Sequence, residues 1–220
     1  MIPGADPLEL EGGLPLRLAR SVAAEARRAC TASPEDAHGP QHWARVAAAG
    51  EWIARRLPSP DRPYRGAPRP LPSPLLLCAL ELFALAHDCC RTGTGRNVGH
   101  GDRAAAWLLA QFGPQSHELL LAAEACRCHQ LMPEHLRGPI PVPLTVRVCL
   151  DANRLDMCRP GVELPIDVLD LFTQPPRQPA GIEGARAYAA GRARWWLERW
   201  GFFYMPPRRG RPPGVALEAP

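Results

Sequence analysis

His87 and Asp88 stand side by side where the apolar run of residues 75–86 gives way to the polar, glycine-rich stretch RTGTGRNVGHG. On a straight helix two adjacent side chains point about 100° apart, but near a helix end both can reach one point. A neutral imidazole nitrogen and a carboxylate oxygen presented together suit a divalent metal ion, and such an ion needs more than two ligands. The chain offers further candidates. His42 falls in the first turn or two of a helical segment, His100 begins the helix after the glycine-rich stretch, and His129 ends the next one. Asp151 interrupts the otherwise apolar VRVCLDANRL, where a carboxylate is costly to bury unless it is paired or bound to metal. One side chain donated by each of four or five helices is how a helical bundle builds a metal cavity. Cys126-x-Cys128-His129 looks like half a zinc site, but no second cysteine pair at suitable spacing accompanies it.

The elements that must position these residues read as helices. No segment alternates apolar and polar residues as a half-buried strand does, whereas apolar residues three and four apart recur throughout. The pattern predicts helices over residues 15–30, 40–57, 75–89, 100–112 and 115–129, a short one near 165–172 and a longer one over 181–200. Pro40 suits a helix first turn, and Gly113-Pro114 breaks the chain. Residues 144–157 read as strand or helix in their first half and as helix in their second. Residues 58–74 hold seven prolines and form a long loop, residues 130–143 form another, and residues 205–220 form a disordered tail. The expected architecture is one all-α domain spanning residues 1–204 with Pro-rich loops. The six tryptophans, among them Trp195, Trp196 and Trp200, are expected to pack in or against its core.

Composition narrows the chemistry. All 26 basic residues are arginine, which excludes Schiff-base chemistry and a phosphate-loop lysine. An anion must therefore be held by arginine, backbone N–H groups or a metal. A formal net charge of +4 is too small to argue for a nucleic-acid partner. No stretch reaches the length of a membrane span, and the acidic start, with Asp6, Glu9 and Glu11, lacks a secretory pattern. A cytoplasmic location is expected, with the eight cysteines as reduced, mostly buried thiols. GTGRNVG is reminiscent of a dinucleotide loop, but no strand precedes it; a glycine-rich lid is the simpler reading.

Taken in order, HGPQHWARV (His38, His42), the His87-Asp88 doublet and Asp151 in LDANRLD resemble the HD superfamily of metal-dependent phosphohydrolases. That superfamily carries a histidine, a later His-Asp doublet and a distant aspartate. GHGDRAA at 99–105 and CRCHQ at 126–130 look like the segments that add histidines in its binuclear members. The resemblance covers residues 38–160. It implies that His42, His87, Asp88 and Asp151 hold one divalent ion, and that His100 and His129 hold a second, with Asp88 shared. The ion would be Mn, Fe, Co, Ni, Zn or Mg. The implied activity is hydrolysis of a nucleotide or another small phosphate ester, with water activated for attack on phosphorus.

Two features depart from that pattern. Some relatives have a lysine shortly after the doublet; here Arg91 stands in that neighbourhood, either as a bidentate phosphate contact or as a solvated surface charge. Asn153 replaces an acid often found after the last ligand. His38, just ahead of Gly39-Pro40, reads as a substrate contact or proton donor, or as plainly exposed. If His129 does not bind, the site holds one ion. Two further functions fit the same residues: a di-iron oxygenase using four histidines and two aspartates, and a degenerate domain that binds a nucleotide as a sensor.

Overall fold

A computed structural model describes residues 13–31, 38–57, 72–92, 97–131, 142–157, 171, 173 and 179–202. Among these there are seven α-helices and no strand. They are α1 (Leu16–Ala29), α2 (Pro40–Ala54), α3 (Pro74–Ala86), α4 (His100–Phe112), α5 (His117–Cys128), α6 (Leu144–Met157) and α7 (Pro179–Arg199). Residues 144–157 resolve as helix throughout. The short helix expected near 165–172 falls almost wholly outside the described residues, as do the tail and most of the Pro-rich loop.

The fold is a bundle with α2 and α3 at its centre. α2 packs against α3, α6 and α7, while α5 packs against α3, α4 and α6. Each central helix starts on a proline, Pro40 or Pro74, which lacks the N–H that a first turn leaves unbonded anyway. α3, PLLLCALELFALA, is apolar around most of its circumference and correspondingly buried. α2 achieves the same burial with small residues, Ala44, Ala47, Ala48, Ala49 and Gly50, which let neighbouring helices approach closely. A Cβ at Gly50 would lie 2.3 Å from Leu80 Cδ1, so a larger residue at the α2–α3 crossing would have to displace the Leu80 side chain.

Two buried carboxylates lock α7 onto this centre. Glu51 of α2 accepts hydrogen bonds from Arg55 at 3.0 Å, Arg192 at 3.3 Å and Trp196 Nε1 at 3.3 Å. Glu81 of α3 accepts from Arg199 Nε at 2.8 Å, Trp200 Nε1 at 2.9 Å and the Leu14 backbone at 3.3 Å. Arg192, Trp196 and Arg199 are four and three residues apart and so lie along one side of α7, with Trp200 immediately after its last residue. Trp196 and Trp200 are buried in the core. All the described cysteines are free thiols, five of them buried.

Glu81 and Arg199 are almost inaccessible to water. Removing one partner of such a pair strands a buried charge, at a cost of about 3–5 kcal/mol. Glu81→Leu is expected to lower stability by that amount in urea unfolding. Glu81→Leu combined with Arg199→Leu is expected to recover most of the loss. Equal destabilisation by the single and double variants would show that the pair does not carry the α3–α7 contact.

Candidate metal centre

Six side chains from four regions of the bundle surround the Asp88 carboxylate. Asp88 lies in the turn that follows α3 and is buried. Its Oδ2 is 2.8 Å from His38 Nδ1, 3.4 Å from His42 Nε2 and 3.6 Å from His87 Nε2. Its Oδ1 is 2.8 Å from His100 Nε2, 3.7 Å from His129 Nε2 and 3.8 Å from an Arg91 terminal nitrogen. Burial alone would push the Asp88 carboxyl up. The imidazoles of His87, His100, His129 and His38 reverse this and hold it well below its usual range.

The ring orientations follow from what stands behind each histidine. The backbone of His87 continues the helical path of α3, which brings its Nδ1 to 3.1 Å from the Ala84 carbonyl and 3.2 Å from that of Phe83. The Phe83 ring stacks on the imidazole. His100, the first residue of α4, has Nδ1 2.7 Å from the Asn97 carbonyl; His129, capping α5, has Nδ1 2.6 Å from the Cys126 carbonyl. His42 Nδ1 meets Asp156 Oδ2 at 2.5 Å. Burial would raise the Asp156 carboxyl, but His42 and Arg45 hold it at about 2, so it is an anion at neutral pH. Carbonyls and carboxylates only accept. Each of the four Nδ1 atoms therefore carries the hydrogen, and each Nε2 turns inward.

The inward nitrogens then meet in pairs. His42 Nε2 and His87 Nε2 are 3.0 Å apart, and His100 Nε2 and His129 Nε2 are 2.8 Å apart. Two neutral rings with their hydrogens on Nδ1 would set lone pair against lone pair at these distances. A cation must lie between them, either a shared proton or a metal ion. Burial holds His87 down at about 3, so it is neutral. Burial also pulls His42 down, but its bonds to Asp156 and Asp88 outweigh that and raise it. In the metal-free pair the proton thus belongs on His42.

The spacings match a coordination sphere. With metal bonds of about 2.1 Å, neighbouring donors lie about 3.0 Å apart in an octahedron and about 3.4 Å apart in a tetrahedron. His42, His87 and Asp88 Oδ2 stand 3.0, 3.4 and 3.6 Å from one another, while His100, His129 and Asp88 Oδ1 stand 2.8, 2.8 and 3.7 Å apart. His38, His42 and Asp88 form a further close triplet of donor atoms. These buried groups can hold a metal ion. The two sets share Asp88, one oxygen facing each.

The site gathers His38, His42, His87, Asp88, Arg91, His100 and His129. Arg91 is largely shielded from solvent, 3.4 Å from His100 Nε2. His38 is partly exposed, and its carbonyl accepts from Trp43 Nε1 at 2.9 Å. Asp151, expected as a ligand from α6, is fully buried but belongs to none of these three close donor triplets. Its Oδ2 accepts from the Thr173 N–H at 2.7 Å and hydroxyl at 2.6 Å, and its Oδ1 lies 3.9 Å from Arg154. In CRCHQ it is the backbone carbonyl of Cys126 that serves His129, while the Cys128 thiol donates to Glu124. His117 is exposed, and His135 lies outside the described residues.

Sequence reasoning missed Asp156 and Arg45. Asp156 is the α6 carboxylate that touches a cluster histidine, and Arg45 Nε lies 2.5 Å from its other oxygen. A second acid in the buried half of LDANRLDM was the available signal. Gly101 was missed too. A Cβ there would sit 2.3 Å from the Cys126 carbonyl and 3.1 Å from the His129 ring, so glycine lets α4 approach α5 closely enough for His100 to reach His129.

Metal binding must displace the proton shared by His42 and His87. Titration of metal-free protein with Mn2+ at pH 7, in buffers of different ionisation enthalpy, is expected to show release of about one proton for each imidazole pair that takes an ion. Because proton and metal compete, affinity is expected to fall as pH falls. A heat independent of buffer, with an affinity independent of pH, would contradict the proton assignment.

Comparison of the chain with protein-family models, with curated proteins and with solved structures finds no match.

Proposed function

We propose that this chain is a metal-dependent phosphohydrolase with an HD-type site, acting on a nucleotide or another small phosphate ester. The observation that carries the reading is the buried Asp88 carboxylate, with a facing pair of imidazoles on each of its two oxygens. The order of the residues along the chain, a histidine, a His-Asp doublet and a distant aspartate, supports it independently.

His42, His87 and Asp88 would hold one ion, and His100, His129 and Asp88 a second. The resemblance assigns Asp151 to the first ion, and Thr173 and Arg154 would then be the groups that orient its carboxylate. An imidazole-rich set suits Mn, Fe, Co, Ni or Zn better than Mg. Bound ions of this kind polarise a phosphoryl oxygen and lower the pKa of coordinated water. Arg91 would contact the phosphoryl oxygens, since its guanidinium stands against Asp88 and His100 and lysine is absent from the chain. His38, hydrogen-bonded to Asp88 yet partly exposed, would give a proton to the departing oxygen. Asp156 would act through His42, holding the tautomer that leaves Nε2 free for metal.

Metal analysis of freshly purified protein, followed by a panel of nucleotides and phosphomonoesters, tests this reading. Bound divalent metal and phosphate release are expected. His87→Ala and Asp88→Ala are expected to lose more than about 100-fold in activity, beyond the 10–100-fold loss expected of Asp156→Asn. Full metal content and activity in both alanine variants would remove the proposal. Iron with oxygen consumption and no phosphate release would favour an oxygenase instead.

Gly101→Ala tests the second ion separately. The new methyl group forces α4 away from α5 and is expected to cut metal content from two ions to one while the His42–His87 ion stays. Unchanged stoichiometry would contradict the assignment of His100 and His129.

A further inference from the structure

The turn that carries the His-Asp doublet continues directly into Cys89-Cys90, two adjacent thiols that the hydrolytic reading does not use. Their sulfurs are 3.6 Å apart. Cys89 is fully buried, whereas Cys90 is only half-buried. Arg103 of α4 donates to the Cys90 carbonyl at 3.4 Å. The backbone is held by hydrogen bonds from Cys89 N–H to the Ala86 carbonyl at 3.0 Å and from Arg91 N–H to the Asp88 carbonyl at 3.1 Å.

We propose that Cys89-Cys90 is a site of reversible two-electron oxidation by a peroxide, closing to a disulfide between adjacent residues and thereby weakening metal binding at Asp88. The coupling to metal rests on the reading of Asp88 as a ligand; the oxidation itself does not.

The chemistry balances in two steps. The Cys90 thiolate attacks one peroxide oxygen: an S–O bond forms, the O–O bond breaks and hydroxide leaves. The Cys89 sulfur then attacks the Cys90 sulfur: an S–S bond forms, the S–O bond breaks, and water leaves with the Cys89 proton. Two thiols and one hydrogen peroxide give one disulfide and two waters. An external dithiol reverses the change, being oxidised as the pair is reduced.

Closure cannot leave the turn as it is. The sulfurs must approach from 3.6 Å to about 2.05 Å. Adjacent Cα atoms are held about 3.8 Å apart by the peptide, below the roughly 4.4–6.8 Å that disulfides prefer. The eight-membered ring is therefore strained, and strained disulfides are the readily reduced, regulatory kind. The strain falls on backbone flanked by Asp88, which faces both candidate ion positions, and by Arg91, which contacts it.

The test treats full-length Cys78→Ser protein with hydrogen peroxide, maps the peptide containing residues 70–91 by mass, and measures Mn2+ affinity before oxidation, after it, and after dithiothreitol. The Cys78 replacement removes the other thiol from that peptide. The expected result is a loss of 2 Da confined to Cys89-Cys90, at least tenfold weaker Mn2+ binding, and recovery of both on reduction. Neither change is expected with Cys90→Ser or, as a second variant, Cys89→Ala added. Thiols that stay reduced, Cys90 that stops at an added 16 or 32 Da, or a disulfide that leaves Mn2+ affinity unchanged would each overturn the proposal. If reduced protein fails to bind Mn2+ at all, the metal reading fails, while the mass change still decides whether the pair oxidises.

Discussion

Asp88 holds its negative charge almost out of reach of water, and the arrangement of the bundle answers to that charge. A buried carboxylate without partners is among the most costly groups a fold can contain. Here its oxygens are met by five imidazoles and a guanidinium. The imidazoles cannot all serve as hydrogen-bond donors. Four of them commit the N–H on Nδ1 to carbonyls or to Asp156, and their inner nitrogens crowd together in pairs. A proton satisfies such a pair partially; a divalent ion satisfies both nitrogens and the carboxylate at once. The centre is thus strained toward a cation by the same contacts that fix its geometry.

The frame that holds those contacts is built from a second set of buried charges. Glu51 and Glu81 lie on the two central helices and draw in Arg192, Trp196 and Arg199 of α7 and Trp200 just past its end. This clamp is on the far side of the histidines in chemical role: none of its members touches Asp88 in the contacts described, yet it fixes α2 against α3 and so His42 against His87. Gly50 and Gly101 act in the same sense, removing volume where helices must come close.

Most of the helices were legible in the sequence because apolar periodicity and Pro or Gly punctuation agree, as at Pro40, Pro74 and Gly113-Pro114. Residues 144–157 were ambiguous because Thr145, Val146 and Val148 suit either state, and only packing against α2 and α5 decides for helix. The cluster histidines were legible by residue type and position on helices. Asp156 and Arg45 were not, because their ion pair joins residues 111 apart in sequence and exists only once α2 and α6 are packed. Arg91 had two readings from sequence; its place against Asp88 and His100 depends on how the turn after α3 meets the start of α4. Asp151 drew notice as a lone acid in an apolar helix, but nothing in its own surroundings announced Thr173 as the group that holds its Oδ2.

Anomalous X-ray diffraction at the manganese edge, from crystals of the full chain grown with Mn2+, addresses the shared carboxylate most directly. The geometry calls for two peaks about 3.5–4 Å apart, one bonded to His42 and His87 and the other to His100 and His129, with one oxygen of Asp88 on each. Manganese absent from this cluster, or bound elsewhere while the imidazole pairs keep their protons, would mean that the buried carboxylate is a structural anion and not a metal bridge.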